Sequence, residues 1–325
     1  MQQPKRQRGI ALITALLVVA IATIAAVQMA HRQQLDIRRL QGLLAFDQAQ
    51  SYAVAAESWA LRALQQDLRD NETDSLNDLW AQPIVIPDYQ GAQLTMTIED
   101  LQSRFNLNNL AQVPTNEPDR NPHYERFQLL IEHLMSEHQG LDADPVHIAN
   151  AVADWLDEDL EPRFPGAEDG LYLTGSEERA PYRAANRLMA SPTELMLIDG
   201  MTPELYQAML PLVTALPEPT AININTAGPR ILRLAHPELS LKEAENIVLD
   251  QRPEEGWEDV KDLFALDALA GVEMPGSENE FGVQSRYFAV HATVTLGDAR
   301  VTLHSLVRRH PEGRMEVLQR ALGRL

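Results

Sequence analysis

Residues 154–169 read DWLDEDLEPRFPGAED and hold seven acids in sixteen positions. Carboxylates gathered this closely repel one another, so a fold that packs them calls for a cation. Asp157, Asp159, Glu161 and Glu168 occupy positions 1, 3, 5 and 12 of an EF-hand-like frame. Position 6 is Pro162, where that loop takes glycine, so the stretch is no true EF-hand. It reads instead as an irregular loop of hard oxygen ligands. With no His or Cys nearby, such a set favours calcium over zinc or copper. By position, the ligands are Asp157, Asp159, Glu168 and Asp169, with Asn186, backbone carbonyls and Glu161 as further candidates. A solvated acidic loop accounts for the same letters. A bound ion here is structural, because no nucleophile or base stands beside it.

Other chemistry is sparse. The chain has no cysteine, which excludes disulfides, zinc–thiolate sites and thiol nucleophiles. There is no Gly-rich phosphate loop and no G-x-S-x-G elbow, so no enzyme is indicated. His123, His133, His138 and His147 lack a metal-like helical spacing and read as scattered surface residues. Trp155 and Trp257 read as core anchors. Two stretches, 195–201 running into Pro203 and 222–263, look like helix-hairpin-helix modules, which offer amides and bases to phosphates. Acids surround both, and Arg230, Arg233, Lys242, Arg252 and Lys261 are interleaved with them. That pattern suits a packing scaffold, and no nucleic-acid partner is expected. The net charge of −20, from 47 acids against 27 Lys and Arg, repels DNA and anionic lipid alike.

The elements that position these residues begin with a membrane segment. Lys5, Arg6 and Arg8 precede Gly9, and Ile10–Ala30 then gives 21 uncharged positions. A helix of that length spans roughly 30 Å, a bilayer core. Its polar exceptions are Thr14, Thr23 and Gln28, and the two threonines can bond back to their own helix. The leading bases place the N-terminus in the cytoplasm and send the rest across. A secretory signal, a plain signal anchor and a cleaved leader with a retained helix all begin this way. Beyond His31, apolar residues keep a three-to-four spacing to about Leu68 with no proline, so 10–68 reads as one helix. The alternative is an anchor followed by a separate helix. Its first half would sit in lipid or a filament, and its second half would lay one face on a globular head.

Strand patterns follow at 84–86 and 92–98, then at 287–296 and 301–307 around a Gly297–Asp298 turn, with a further piece at 315–318. The chain turns polar at Asn106, Asn108 and Asn109. Between the strand blocks the pattern is helical. This predicts an α+β chain in which a large helical domain is inserted into an antiparallel sheet domain. The units are 1–9, the helix 10–70, sheet residues 71–114 and 281–325, and the insertion 115–280.

The leader KRQRG followed by IALITALLVVA resembles that of prepilin-like proteins. The stretches DWLDEDLEP (154–162), GAED (166–169), PYRAANR (181–187), SPTEL (191–195), GMTPELY (200–206) and ININTA (222–227) resemble the K-type minor pseudopilins of type II secretion systems. The resemblance implies a pilin-like fold carrying a large α-domain that binds calcium. It implies cleavage between Gly9 and Ile10 by a prepilin peptidase, with N-methylation of Ile10. Most pilin-like proteins carry Glu at the fifth position after the cut, where this chain has Thr14. A carboxylate in a bilayer is expensive unless paired, and a tip subunit has no neighbour ahead to pair with. The resemblance therefore implies a subunit that caps the pseudopilus tip and helps start its growth for protein export. Its partners would be the I-, J- and H-type minor pseudopilins, the major pseudopilin and the inner-membrane assembly platform. It would be a single-pass bacterial inner-membrane protein with a periplasmic head. The alternatives are a competence-type minor pilin that takes DNA through the helix-hairpin-helix elements, and an anchored periplasmic hydrolase.

Overall fold

The computed structural model describes residues 8–111, 121–138, 140–175, 180–270 and 280–323, and of 8–11 only the backbone. Most of the leader, 1–7, lies outside the described residues. Helix α1, Arg8–Asp70, runs unbroken for 63 residues, about 95 Å. The stretch read as 10–68 is thus one helix, because nothing in it breaks the backbone ladder. Thr23 Oγ1 donates to the Val19 carbonyl at 2.8 Å, the back-bond expected of a hydroxyl in an apolar helix.

Strands β1 (Ile84–Tyr89) and β2 (Ala92–Asp100) follow α1, and β7 (Tyr287–Leu296), β8 (Ala299–Arg309) and β9 (Met315–Leu322) close the chain. They form one antiparallel sheet ordered β1-β2-β7-β8-β9. Gly297 turns the β7–β8 hairpin at φ +57°. Alternation puts Ala92, Leu94, Met96 and Ile98 of β2 on one face, where α1 covers them. Ala49, Ala53 and Ala60 line the contacting stripe of α1, and their small side chains let helix and sheet approach closely. Among the described residues of α1, full burial begins at Ala49. Leu35, Ile37, Leu40, Leu43, Leu44 and Phe46 stay exposed, although the sequence pattern placed part of this run on the head. The periodicity continues above and below Ala49; what changes is side-chain size.

Between β2 and β7 lies the helical domain. It comprises α2 (Pro122–Glu137), α3 (Pro145–Leu156), α4 (Asp169–Tyr172), α5 (Pro203–Met209), α6 (Pro229–Leu232), α7 (Leu241–Asn246) and α8 (Val260–Phe264). Two short parallel bridges brace it. One pairs β3 (Phe105–Asn106) with β4 (Val213–Thr214), and the other pairs β5 (Ile222–Asn223) with β6 (Phe281–Gly282). Phe105, Leu107 and Leu110 are buried in its core, so that core starts ahead of the boundary at 115 read from composition.

The polar asparagines explain the difference. Asn108 donates to the Met189 carbonyl and accepts from the Met189 N–H, at 3.0 and 2.9 Å. Asn109 does the same with Thr220, at 2.8 and 3.0 Å, and Asn225 with Trp257, at 3.0 and 2.8 Å. Each buried amide imitates a strand's donor–acceptor pair and satisfies loop backbone that would otherwise be orphaned.

Candidate metal centre

Asp144 caps α3 by accepting from the Val146 and His147 N–H groups, and Pro145 opens the helix. Apolar residues bury α3 on nearly every side through Leu156. The last turn therefore delivers Asp154 into the interior, where its side chain is fully buried. There it accepts from the Arg163 backbone N–H at 3.2 Å, the Arg163 guanidinium at 2.8 Å and the Ala167 N–H at 3.0 Å. Asp154 thus folds the acidic loop back on the helix. Gly166 is required beside it, since a Cβ would stand 2.3 Å from Asp154 Oδ2 and 2.5 Å from the Arg163 carbonyl. Sequence reasoning passed over Asp154 as a site residue; its one signal was an acid on the apolar face of a strongly apolar helix.

The loop then brings Asp157, Asp159 and Glu168 together, with one oxygen from each lying within 4.8 Å of the others. Asp157 faces Arg163 through Oδ2, while its Oδ1 is buried without a hydrogen-bond partner. Glu168 accepts from the Asp169 N–H through Oε2, and its Oε1 is likewise buried and unpartnered. Asn186, in the left-handed region at φ +47°, donates to the Asp159 carbonyl at 2.7 Å and leaves its own Oδ1 buried and unpartnered. Two orphaned carboxylate oxygens within this cluster, and a third orphaned oxygen on the residue that bonds the Asp159 carbonyl, match the hard-oxygen donor set of calcium. Burial raises the carboxyl of Asp157, helped by Asp159 and Asp154 and opposed by Arg163. Glu168 rises for the same first reason, with Asp154, Asp157 and Asp169 adding repulsion. Divalent charge would relieve both.

Two position-based candidates stand differently. Asp169 Oδ1 accepts from the Ala184 N–H at 2.9 Å, so this residue anchors the 181–187 strap that carries Asn186. Glu161 is exposed, and its backbone N–H donates to Asp159 Oδ1 at 2.9 Å.

The other expected residues are placed as follows. Thr14 lies on the exposed apolar stretch of α1, and the Gly9–Ile10 bond falls in its first turns. Trp155 and Trp257 are core residues. His123 and His133 are buried, contrary to a surface reading, and burial lowers each to about 4. Both sit on the inner side of amphipathic α2, where the neutral imidazole is the stable form. In the helix-hairpin-helix look-alikes, Asp199 pairs with His147 at 2.9 Å, and Arg230 and Arg233 both bind Glu137 at 2.7 Å. Those bases hold the domain's own acids.

Two models of the family described as type II secretion system (T2SS), protein K, match residues 103–218 and 222–284. The chain is 37% identical to the type II secretion system protein K of Pseudomonas aeruginosa, over 98% of this chain and 93% of that one. It is 32% identical to the protein of the same name from Aeromonas hydrophila, over 98% of each. Among solved structures, the crystal structure of the GspK–GspI–GspJ complex from enterotoxigenic Escherichia coli contains a chain similar at a TM-score of 0.73 and 32% identity. The match covers 88% of this chain and all of that one. Fold, family models and near full-length relatives agree: the chain belongs to the type II secretion system protein K family.

Proposed function

We propose that the chain is the minor pseudopilin that caps the tip of the type II secretion pseudopilus and helps start its growth. The observation that carries this is the exposed apolar surface of α1. It runs from Leu12 through Met29, a bilayer's length, and continues past it at Leu35, Ile37, Leu40, Leu43, Leu44 and Phe46. Lipid covers the first part; the second needs other helices. The I- and J-type subunits are the natural partners, since the similar solved chain belongs to a complex with GspI and GspJ. Capping follows from what stands above. The helical domain is a head too bulky to leave room for another subunit, and Thr14 replaces the carboxylate that a repeating subunit offers its neighbour. The same reading places the N-terminus in the cytoplasm, the head in the periplasm, and prepilin cleavage and methylation at Gly9–Ile10.

The acidic loop belongs to this function as a brace. Asp157, Asp159, Glu168 and Asn186 would hold a calcium ion that ties the end of α3 to the 181–187 strap. The test is co-purification of the full chain in detergent with I- and J-type pseudopilins, in calcium and in chelator. A stable ternary complex whose melting temperature falls on chelation is expected. No complex in either condition, with salt-sensitive DNA binding instead, would overturn the reading in favour of a competence-type pilin.

A further inference from the structure

His291 on β7 and His304 on β8 stand directly opposite one another in the strand register. They lie on the sheet face turned away from α1, since their neighbours Val290, Ala292 and Leu303 pack on the α1 side. Their Nδ1 atoms face each other at 2.7 Å. The outer nitrogens are already placed. His304 Nε2 is 2.9 Å from the Gly323 carbonyl oxygen, and His291 Nε2 is 3.8 Å from Glu99 Oε2. The other oxygen of Glu99 takes the Arg104 guanidinium. His291 first, then Arg104, hold the Glu99 carboxyl below its ordinary value, so it is an anion.

Hydrogen accounting makes the pair unusual. A carbonyl only accepts, so His304 carries its hydrogen on Nε2, and in the neutral ring its Nδ1 is a bare lone pair. In the neutral pair His291 donates from Nδ1 to that lone pair; with its hydrogen on Nε2 instead, toward the Glu99 carboxylate 3.8 Å away, its Nδ1 is bared as well. In that second tautomer two lone pairs face one another, the arrangement that accepts an electrophile between them. Imidazoles that bind metals have this arrangement: one ring nitrogen on the ion, and the other donating to a carboxylate or backbone carbonyl. Here both kinds of outer partner are present, one on each ring.

We propose that His291 and His304 form a second metal site, chemically distinct from the acidic loop, for a borderline divalent ion such as zinc. Imidazole nitrogen suits zinc, nickel and copper rather than calcium. Binding at about 2.0–2.1 Å from each Nδ1 at a tetrahedral angle requires the two nitrogens to part by roughly 0.6 Å. No net proton need leave a neutral pair: the hydrogen of His291 moves from Nδ1 to Nε2, facing Glu99. The site opens into a cleft of about 260 Å³ between the sheet and the helical domain, where water can complete the coordination. A bound ion would clamp β7 to β8 and, through Gly323, steady the chain just past β9.

The test is zinc titration of the calcium-saturated full chain in detergent, by calorimetry and by imidazole nitrogen NMR. One zinc per chain is expected, with the Nδ1 resonances of His291 and His304 moving together. His291→Gln and His304→Gln should each weaken binding at least about tenfold, and Glu99→Gln by about tenfold through loss of the outer partner. Unchanged zinc affinity in the histidine variants would overturn the proposal. So would wild-type Nδ1 resonances that respond to pH but not to zinc, which would mean that the pair holds a shared proton only. That second readout needs no variant to fold.

Discussion

Asp157 and Glu168 each have one oxygen that is hydrogen-bonded or ion-paired and one that is buried with no partner. Such an oxygen is tolerable to the neutral acid or to a metal-bound carboxylate, and unfavourable to a bare anion. Their shared predicted behaviour is distinctive. In chelator, Asp157→Asn and Glu168→Gln should be no less stable than the parent, because each removes a repelling charge. Both should lose the rise in melting temperature that calcium gives the parent. At about a hundred times the dissociation constant that rise corresponds to about 2.7 kcal/mol, several degrees in Tm. Differential scanning fluorimetry with and without calcium checks it. The half-buried Asp67 is another acid whose carboxyl is pushed up. Burial first, then the charges of Asp74 and Asp78, push it from 3.8 to about 7, against Asn71 and Arg309. A raised acid stabilises the fold fully below its unfolded value, and that stability is lost as pH rises through about 7. Stability should therefore fall between about pH 4 and pH 7 and level off above, by at most about 1.4 kcal/mol per pH unit from this group. Asp67→Asn, which keeps the shape of the neutral acid, should flatten that decline. Urea unfolding across the range measures it.

At the scale of elements, α1 is pinned to the sheet by charge as well as by alanines. Glu57 is 1% exposed on the contacting face of α1 and meets Arg320 of β9 at 2.7 Å, with Ser305 of β8 also donating to it. Arg320 is half exposed, so the two partners are not equivalent. Arg320→Ala strands a buried carboxylate and should cost about 3 kcal/mol, whereas Glu57→Gln returns Arg320 to water and should cost about 1 kcal/mol. The double variant should be more stable than Arg320→Ala alone, which a double-mutant cycle in urea would reveal. These elements were legible to different degrees. Periodicity without a breaker marked α1, and alternation around Gly297–Asp298 marked the hairpin. The roles of Asn106, Asn108 and Asn109 were not legible, because a polar run has the same composition whether its amides serve distant buried backbone or face water. The candidate site divides the same way. Spacing brought out Asp157, Asp159 and Glu168, but which neighbouring acid lies inward depends on the buried face of α3. That face selects Asp154, and the Ala184 N–H takes up Asp169.

For the whole molecule, the junction between body and head is a buried polar network rather than an apolar seam. Asp100, at the end of β2, accepts from Ser285, Thr226 and Asn223, and burial raises its carboxyl to about 6. Asp74, just past α1, accepts from the Ser285 N–H and pairs with Arg309 of β8. Helix, sheet and helical domain are thus locked in one orientation, as a subunit needs if its head is to sit in a fixed place above a filament. The strand register has a further consequence. Asp100 pairs with Phe288, so β2 and β7 are immediate neighbours, and the whole helical domain is the connection between them. Closing an unstructured connection of that length is entropically unfavourable before any strand contact compensates. A domain already collapsed holds its two ends side by side and removes most of that penalty. The order of folding should follow: helical-domain amides gain protection first in pulsed hydrogen exchange, and the central β2–β7 ladder zips only afterwards.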